Sequence, residues 1–411
     1  MKMAWRNLWR NRRRTVITLA GIAFGAMLAV IFTGIGDASW TAMIDLAARM
    51  GTGHVAIQHP RYRDTPAIRH CIGDVEQKLA LARSDPEVSD AVARVGAHAM
   101  LATAHDSAGV RLLAVEPAKE SERTLSVLEA IDAGEWLEPD QRRGIAIGAE
   151  LAERLDAELG NKVVYTLTDR AGEIVSGLAR VAAIVRTGSS AVDGGLAILP
   201  IEPLRELVGY AEDEATEVVV FADDQRASDA IAARLNRSLS KEAEALPWHV
   251  LQPELAGFIA AKVGGMTFFE LLILVLLAAG IFNTLFVSVM ERLREFGILL
   301  AIGFGPGRLR RLVLWESALI GLVGLVAAAL VTAGPYAYLH SEGLDTSAMT
   351  GGGGGGSEIA GVVLDPVLRV AIFPESLAAI AAVVVLATLA AGLYPAWRAG
   401  RVVPVESIKR V

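Results

Sequence analysis

Four long apolar segments dominate the hydrophobic pattern of the chain. They occupy residues 15–36, 266–290, 312–339 and 373–397, and each is almost free of charged side chains. A helix needs about 20 apolar residues to cross the hydrocarbon core of a bilayer. Because no water is present there to satisfy backbone polar groups, such a segment must be helical. The pattern therefore predicts four transmembrane helices.

The segments around these spans differ in charge. Basic side chains predominate in residues 1–14, 291–311 and 398–411, whereas acids outnumber bases in 37–265 and 340–372. Lys and Arg are retained on the cytoplasmic side of membrane proteins. We therefore expect both termini and the middle connection to lie inside the cell, and the first and third connections outside. The net charge of −7 conceals this asymmetry.

Residues 1–14 alternate aromatic and basic side chains. Trp5, Leu8 and Trp9 share one side at helical spacing, which is typical of a helix lying in the inner membrane interface. The alternative is an ordinary aromatic and basic flank of the first span. The apolar run that follows is longer than the core of a signal peptide and precedes no small-residue cleavage site. We interpret it as an uncleaved anchor.

Residues 37–265 are numerous enough to fold as a domain of their own. Short β-like runs alternate there with helical patterns, which predicts an α+β fold with antiparallel character. Outer lobes are expected near 51–105 and 212–260, with a β-rich lobe inserted near 106–211. The predicted fold class is thus a membrane α-helical protein with four transmembrane helices and a large α+β extracytoplasmic domain between helices 1 and 2.

The sequence lacks the common motifs of catalysis and cofactor binding. A phosphate-binding loop needs Gly-x4-Gly-Lys-Ser/Thr, and the glycine-rich stretch 303–308 has no Lys-Ser/Thr. The spacing of His54, His59, His70 and Cys71 matches no familiar zinc pattern. No basic stripe suits a nucleic acid. We predict a non-catalytic chain that holds no cofactor or metal and binds no nucleic acid.

Three polar residues stand out within the predicted spans, namely Glu270, Asn283 and Glu316. They are too few for a proton relay across the bilayer, which disfavours an ion-driven transporter. Asn283 is expected to hydrogen-bond another helix. In the third connection, six consecutive glycines at residues 351–356 predict a flexible outer loop.

The middle connection, residues 291–311, is the most informative stretch. Charged residues open it, an apolar helical run follows, and Gly305-Pro306-Gly307 breaks the chain before a basic helix re-enters the membrane. A short amphipathic helix of this kind suits docking in a groove of a soluble partner. The physical pattern leaves a plain interfacial helix equally open.

This connection resembles that of the MacB/FtsX/LolC-type permeases of ATP-binding-cassette (ABC) transporters. Those proteins read Glu-Arg-x-x-Glu-Ile-Gly-x-x-Arg-Ala-Leu-Gly-Ala. The matching residues here are Glu291, Arg292, Glu295, Phe296, Gly297, Ala301, Ile302 and Gly303. The stretches at residues 4–15 and 394–408 are also similar to the family's ends. Leu300 and Phe304 depart from the pattern, because the family has a basic and a small residue there.

The outer domain looks most like the lipoprotein-releasing (LolC/LolE-like) branch, in residues 53–62 and 187–193. The resemblance implies a subunit of the bacterial inner membrane that forms a homo- or heterodimer of permeases and binds two ABC ATPase subunits, which hold ATP and Mg. It further implies mechanotransmission, with lipoproteins or another amphipathic substrate passed to a periplasmic carrier. Export of peptides or drugs through a tripartite machine and regulation of a cell-wall hydrolase are the alternatives.

The same resemblance implies which residues couple the chain to the ATPase. Phe296 is expected to be an apolar anchor in the partner's groove, and the two glycines to allow close backbone approach. The predicted coupling residues are Glu291, Arg292, Glu295, Phe296, Gly297, Ile302 and Gly303.

Overall fold

A computed structural model describes residues 4–6, 9–10, 12–138, 141–345, 358–359, 362–363 and 367–401. The chain divides into two compact units. We call the first the helical unit; it comprises Met1–Ser39, Ala260–Thr346 and Val367–Val411. The second, the inserted unit, comprises Trp40–Ile259 and Ser347–Pro366. The six glycines at 351–356 lie outside the described residues, as do Leu8 and the tail from residue 402.

In chain order, the elements from the first helix to the middle of the inserted unit are α1 (Arg12–Ala47), β1 (Val55–Gln58), α2 (Val75–Arg83), β2 (Val88–Ala102), β3 (Ser107–Val115), β4 (Ile131–Gly134), β5 (Gly144–Gly148), α3 (Ala149–Leu155), β6 (Lys162–Thr168) and β7 (Ile174–Val185). The remaining elements are α4 (Ser190–Asp193), β8 (Leu196–Pro200), α5 (Ile201–Val208), β9 (Glu217–Ala222), α6 (Ser228–Ser238), β10 (Glu244–Pro247), α7 (Trp248–Leu251), α8 (Pro253–Glu291), α9 (Leu293–Ala301), α10 (Pro306–Ser341), β11 (Leu344–Asp345), β12 (Glu358–Ile359), β13 (Val362–Val363), β14 (Val367–Leu368) and α11 (Pro374–Ala399). A π-helix (Ala48–Thr52) follows α1, and 3-10 turns occupy Ser126–Ala130 and Gln225–Ala227.

Four of these helices, α1, α8, α10 and α11, are long and apolar enough to cross a membrane, by length and composition. Three of them contain a predicted span and extend beyond it at both ends, and α11 begins one residue after the predicted start and ends two residues after the predicted end. α1 begins at Arg12, within the stretch predicted to lie along the interface, and α8 begins at Pro253 rather than at residue 266. A helix can continue past the end of an apolar segment where the flanking residues pack against other parts of the protein. At the start of α8, Leu255 is buried against Met43 and Ala47.

The helical unit is packed through small residues. Gly321 lies against Thr388, where a Cβ would come within 3.2 Å of the threonine, and Gly392 lies against Ser317. Small residues let helix backbones approach closely, which increases the van der Waals packing that helps hold helices together in lipid. Buried apolar side chains from all four long helices complete this core, among them Ile22, Ile281, Ile320 and Val384.

A ten-stranded sheet forms the centre of the inserted unit. Its strand order is β10-β1-β9-β2-β3-β8-β5-β7-β4, with β6 paired to β2 and β7. Nearly all pairs are antiparallel; the pairs β3–β8 and β5–β7 are parallel. The predicted α+β domain with antiparallel character is therefore present. The hydrophobic pattern did not reveal β2, whose alanine-, glycine- and charge-containing sequence has little β-propensity.

β2 spans the two regions that the sequence suggested as separate lobes, a division that stays a prediction. Its first half pairs with β9, in the lobe predicted near 51–105 and 212–260. Its second half pairs with β3 and β6, in the lobe predicted near 106–211. One cluster of buried side chains extends through both, from Ile57 to Val163 and Leu204.

Candidate functional site

The middle connection folds as a short helix, α9, held between two breaks in the chain. Arg292 has non-helical backbone angles and separates α8 from α9. Gly303 follows α9 with a φ of +91°, a conformation that glycine adopts without the strain a side chain would cause. Gly305 is extended and Pro306 opens α10, where its fixed φ and missing N–H suit the first helical position. The sequence therefore sets where α9 begins and ends.

Arg292 connects α9 to the start of α10. Its Nη1 donates to both carboxylate oxygens of Glu316, at 3.0 and 3.2 Å, and its Nε donates to Glu295 at 3.3 Å. The guanidinium carbon lies 5.0 Å from the ring centroid of Phe296. The side chains of Arg292 and Glu316 are only 13% and 8% exposed, so little water screens this pair.

The N-terminal segment joins the same group of charges. Arg10 donates to Glu295, and Arg14 contacts Glu291 through two hydrogen bonds of 3.1 and 3.2 Å. The hydrogen bond from Arg10 lowers the pKa of Glu295 below its ordinary value, although partial burial opposes it. Glu295 therefore stays ionised at neutral pH. We call the series Arg10–Glu295–Arg292–Glu316 the ion-pair chain; it connects the N-terminal segment, α9 and α10.

Phe296 and Gly297 face into the protein. Phe296 is fully buried against Val289, Leu309 and Val313, together with residues at the end of α11. The structure thus corrects the idea that Phe296 is an exposed anchor in a partner's groove. The physical reason is that moving a phenyl ring out of water and between apolar helices lowers the free energy of the folded protein.

The exposed apolar side chains of α9 and its end are Ile298 and Ile302, with exposed fractions of 48% and 74%. Ala301, Gly303 and Glu291 are exposed as well. The seven predicted coupling residues are therefore brought together in one place but divide into two sets. Glu291, Ile302 and Gly303 face outward, whereas Arg292, Glu295, Phe296 and Gly297 join α9 to the rest of the helical unit.

Sequence reasoning missed three members of this site. Arg10 and Arg14 were assigned to a lipid-facing segment, and Glu316 was treated as an isolated intramembrane acid. The available signal was charge: a carboxylate inside an apolar span needs a partner, and Arg292 is the basic residue just outside the neighbouring span. A pairing across 24 positions of sequence cannot be identified from spacing, because it depends on how the two helices pack.

A second polar feature lies within the helical unit. Thr33 donates a hydrogen bond to Glu270, and both line a cavity of about 240 Å³ with residues such as Leu277, Ile380 and Val384. Asn283, on the same helix as Glu270, is exposed on this chain, and no hydrogen bond to its side chain is found among the described residues. The helix partner expected for Asn283 is therefore not within the described part of this chain.

The histidines considered as metal ligands have other contacts. His54 accepts from the Ala222 N–H through Nδ1, so its Nε2 carries the proton and donates to Asp45 at 2.9 Å. The rings of His59 and His70 stack with centroids 5.1 Å apart. Across the described residues, no group of three or more His, Cys, Asp or Glu side chains could hold a metal ion.

Two family models match this chain. One, described as FtsX-like permease C-terminal, matches residues 267–404, which include α9, α10 and α11. The other, described as MacB-like periplasmic core domain, matches residues 15–238, more than half of the chain. The two matches together cover both units.

Individual relatives are more distant. The chain is 23% identical to the lipoprotein-releasing system transmembrane protein LolC of Neisseria meningitidis, over 76% of this chain and 74% of that protein. It is 24% identical to the pyoverdine export ATP-binding/permease protein PvdT of Pseudomonas fluorescens, over 80% of this chain and 50% of that protein. A crystal structure of the periplasmic region of MacB from Actinobacillus actinomycetemcomitans matches 52% of this chain and 96% of its own, with 14% identity and a TM-score of 0.35. That last similarity is too weak to add to the domain matches.

Proposed function

The chain belongs to the MacB/FtsX/LolC-type family of ABC transporter permeases, as the resemblance implied, and we propose that it couples ATP hydrolysis by a separate ATPase subunit to movement of its inserted unit. In this proposal the inserted unit lies outside the cytoplasmic membrane, and α9 with both termini lies inside. The distribution of basic residues supports that orientation, since Arg and Lys cluster at the ends assigned to the cytoplasm.

The ion-pair chain is the observation that carries the proposal. A force on the exposed side of α9 is transmitted to α10 through Arg292 and Glu316, and to the start of α1 through Glu295 and Glu291. Buried Phe296 keeps α9 from sliding independently of its neighbours. α1 and α8 each contain residues of both units, so movement of either helix reaches the inserted unit along the backbone.

ATP and Mg are assigned to the partner subunit. The chain has no Gly-x4-Gly-Lys-Ser/Thr loop with which to hold a triphosphate. It also spans only half of PvdT, a relative whose name joins an ATP-binding function to a permease. In this proposal the chain is a non-catalytic subunit, and the ATPase activity resides in a partner chain.

The proposed cargo is a lipid-anchored or otherwise amphipathic molecule removed from the outer leaflet. The LolC relative, named for lipoprotein release, matches most of this chain and supports the choice. The cavity beside Glu270 offers apolar walls with one carboxylate, a suitable lining for a molecule with a polar head and an apolar chain. The relationship to PvdT, a relative named for pyoverdine export, supports export of peptides or drugs as the second candidate.

Two further surfaces support assembly with other proteins. Asn283 is exposed within the predicted second span, in the last quarter of α8. An amide without a hydrogen-bond partner is costly in lipid, so a helix of a second permease would satisfy it. In the inserted unit, Val164 of β6 and Leu178 of β7 are paired and exposed, and the exposed Met100 of β2 lies opposite Thr166, two residues from Val164 on the same face. Such an apolar sheet face suits contact with a soluble carrier of lipoproteins.

The decisive experiment uses Ile302→Asp in the full chain, co-expressed with its ATPase. Ile302 is 74% exposed beside α9, so a carboxylate there should not unfold the permease but should weaken a groove contact. We expect ATPase capture in pull-downs and permease-stimulated ATP turnover to fall by about tenfold or more. Ile174→Asp, at a side chain 79% exposed in the inserted unit, is the matched control.

Both variants should be recovered from membranes in the amount of the wild type. Undiminished capture and turnover with Ile302→Asp would place the docking element elsewhere, on the N-terminal segment or the tail. ATP hydrolysis by the purified chain without a partner would contradict the proposal as a whole.

A further inference from the structure

A second cavity lies entirely within the inserted unit, and the proposed coupling does not use it. Its volume is about 600 Å³, within the range of roughly 300–1,000 Å³ typical of small-molecule sites. Its apolar wall includes Met50, Val192, Leu196 and Leu255. The adjacent strands β1, β9, β2 and β3 supply neighbouring polar side chains on one side, and the lining also includes Thr52, Arg63, Gln252 and Glu254.

Gln58, at the end of β1, lines this cavity with an unsatisfied amide. The residue is 2% exposed, and its Nε2 has no hydrogen-bond partner among the described residues. A buried donor without a partner costs about 1–3 kcal/mol, so native proteins contain few of them. A methionine at this position would fill the same space without that cost. The unpaired amide N–H of Gln58 at the cavity wall could therefore donate to a hydrogen-bond acceptor on a bound ligand.

Glu217 stands directly opposite Gln58 on β9 and supplies an acceptor. The two residues are antiparallel partners, so their side chains share one face of the sheet. Glu217 is 5% exposed; burial raises the pKa of its carboxyl group, and the charges of Arg111 and Arg94 oppose that rise. Arg94 already donates to Glu120, Gly51 and Thr124, so its hydrogen bonds are committed elsewhere. A donor and an acceptor therefore lie side by side on the cavity wall.

The next strand pair adds a positive charge at the rim. Arg111 and His98 are opposite partners on β3 and β2; both line the cavity and are exposed. Among the described residues, Arg111 forms no ion pair. Between these groups, the Tyr62 hydroxyl donates a hydrogen bond to the Gly96 carbonyl. Gly96 leaves room for this hydroxyl, because a Cβ at position 96 would come within 2.8 Å of the Tyr62 hydroxyl oxygen.

We propose that this cavity binds a short peptide with a free carboxylate. Gln58 donates to a peptide carbonyl, Glu217 accepts from a peptide N–H, and Arg111 pairs with the carboxylate at the rim. An apolar side chain of the peptide contacts the wall formed by Met50, Leu196 and Leu255. This site is independent of the coupling to an ATPase and is tested without one.

The test uses the purified full chain in detergent and the tripeptide N-acetyl-Ala-Leu-Ala, with its carboxamide as the comparison ligand. Calorimetry should show saturable binding of the acid, and the carboxamide should bind about tenfold more weakly, a loss of about 1.4 kcal/mol. Arg111→Gln should abolish the difference between the two ligands. No saturable binding of the acid at millimolar concentrations would overturn the proposal.

Gln58→Met separates a binding role from a structural one. Because it removes an unsatisfied amide, we expect an equal or higher melting temperature without ligand, together with binding weakened by about tenfold or more. Asn236→Leu is the matched control, since its amide is satisfied by two 2.8 Å hydrogen bonds with the Ala245 backbone and lies outside the cavity lining. That control should melt at a lower temperature and bind normally. If the Gln58→Met variant has a lower melting temperature and binds the peptide normally, Gln58 has a structural role and the proposal is overturned.

Discussion

Each unit contains a buried arginine–carboxylate pair, and the two pairs are built differently. In the inserted unit, Arg94 and Glu120 are 0% and 1% exposed. Arg94 donates from Nε and Nη2 to Glu120, and it also reaches the carbonyl oxygens of Gly51 and Thr124. In the helical unit, Arg292 shares its guanidinium between Glu316 and Glu295, and Glu295 in turn contacts the exposed Arg10.

The difference is between an ion pair with one fixed set of contacts and an arginine that can shift its hydrogen bonds between two carboxylates. Arg94, held by four hydrogen bonds inside a closed core, has no alternative arrangement of similar energy. A guanidinium shared between two carboxylates, one of them 40% exposed, can transfer contacts from one to the other at low cost. We therefore assign Arg94–Glu120 to the stability of the inserted unit and the ion-pair chain to movement.

Arg94→Met should have the largest effect on stability. It leaves Glu120 charged and buried without its partner, a loss of about 3–5 kcal/mol. The inserted unit should unfold at a clearly lower temperature, measured by circular dichroism and by protection from protease. A second change, Glu120→Leu, should recover much of the loss because it removes the stranded charge. A melting temperature unchanged in Arg94→Met would remove the distinction drawn between the two pairs.

Glu316→Gln should have a smaller effect on stability and a larger one on coupling. Arg292 keeps its contact with Glu295, so we expect a loss of about 1–3 kcal/mol. Because the contact between α9 and α10 is weakened, ATPase capture should persist while transport per ATP hydrolysed falls. The measurement is the ratio of the two rates in reconstituted vesicles. A loss of capture equal to that of Ile302→Asp would instead make Glu316 part of the docking surface.

The pH dependence of the outermost pair should be the smallest effect. Arg10 lowers the folded-state pKa of Glu295 below 4.5, so this pair stabilises the protein above that pH and ceases to do so as pH falls through the lowered value. Between pH 6 and 3, we expect wild type to lose slightly more stability than Glu295→Gln, a difference reduced by salt. Melting curves of both proteins at two ionic strengths check this. Identical pH profiles would mean that the pair adds nothing to stability.

Much of the architecture followed from local properties of the sequence. The runs at 15–36 and 266–290 are apolar over bilayer length, and the basic flanks distinguish one side from the other. The strands β6 and β9 follow from local composition, because β-branched and aromatic residues alternate or cluster there. The motif around Glu291 and Gly303 was sufficient for the family, because it occurs together with similar sequences at both ends.

Only the tertiary structure decided which way the side chains of α9 face. Phe296 and Ile302 are both apolar, and a nine-residue helix could turn either one toward the protein. The burial of Phe296 depends on Leu309 and Ala396, which are distant in sequence. The pairings of Arg292 with Glu316 and of Gln58 with Glu217 likewise depend on helix packing and strand register. Composition and periodicity therefore determined the spans and many of the strands, and the motif resemblance indicated the family. Contacts between distant segments required the folded chain, because they arise from packing that no local pattern records.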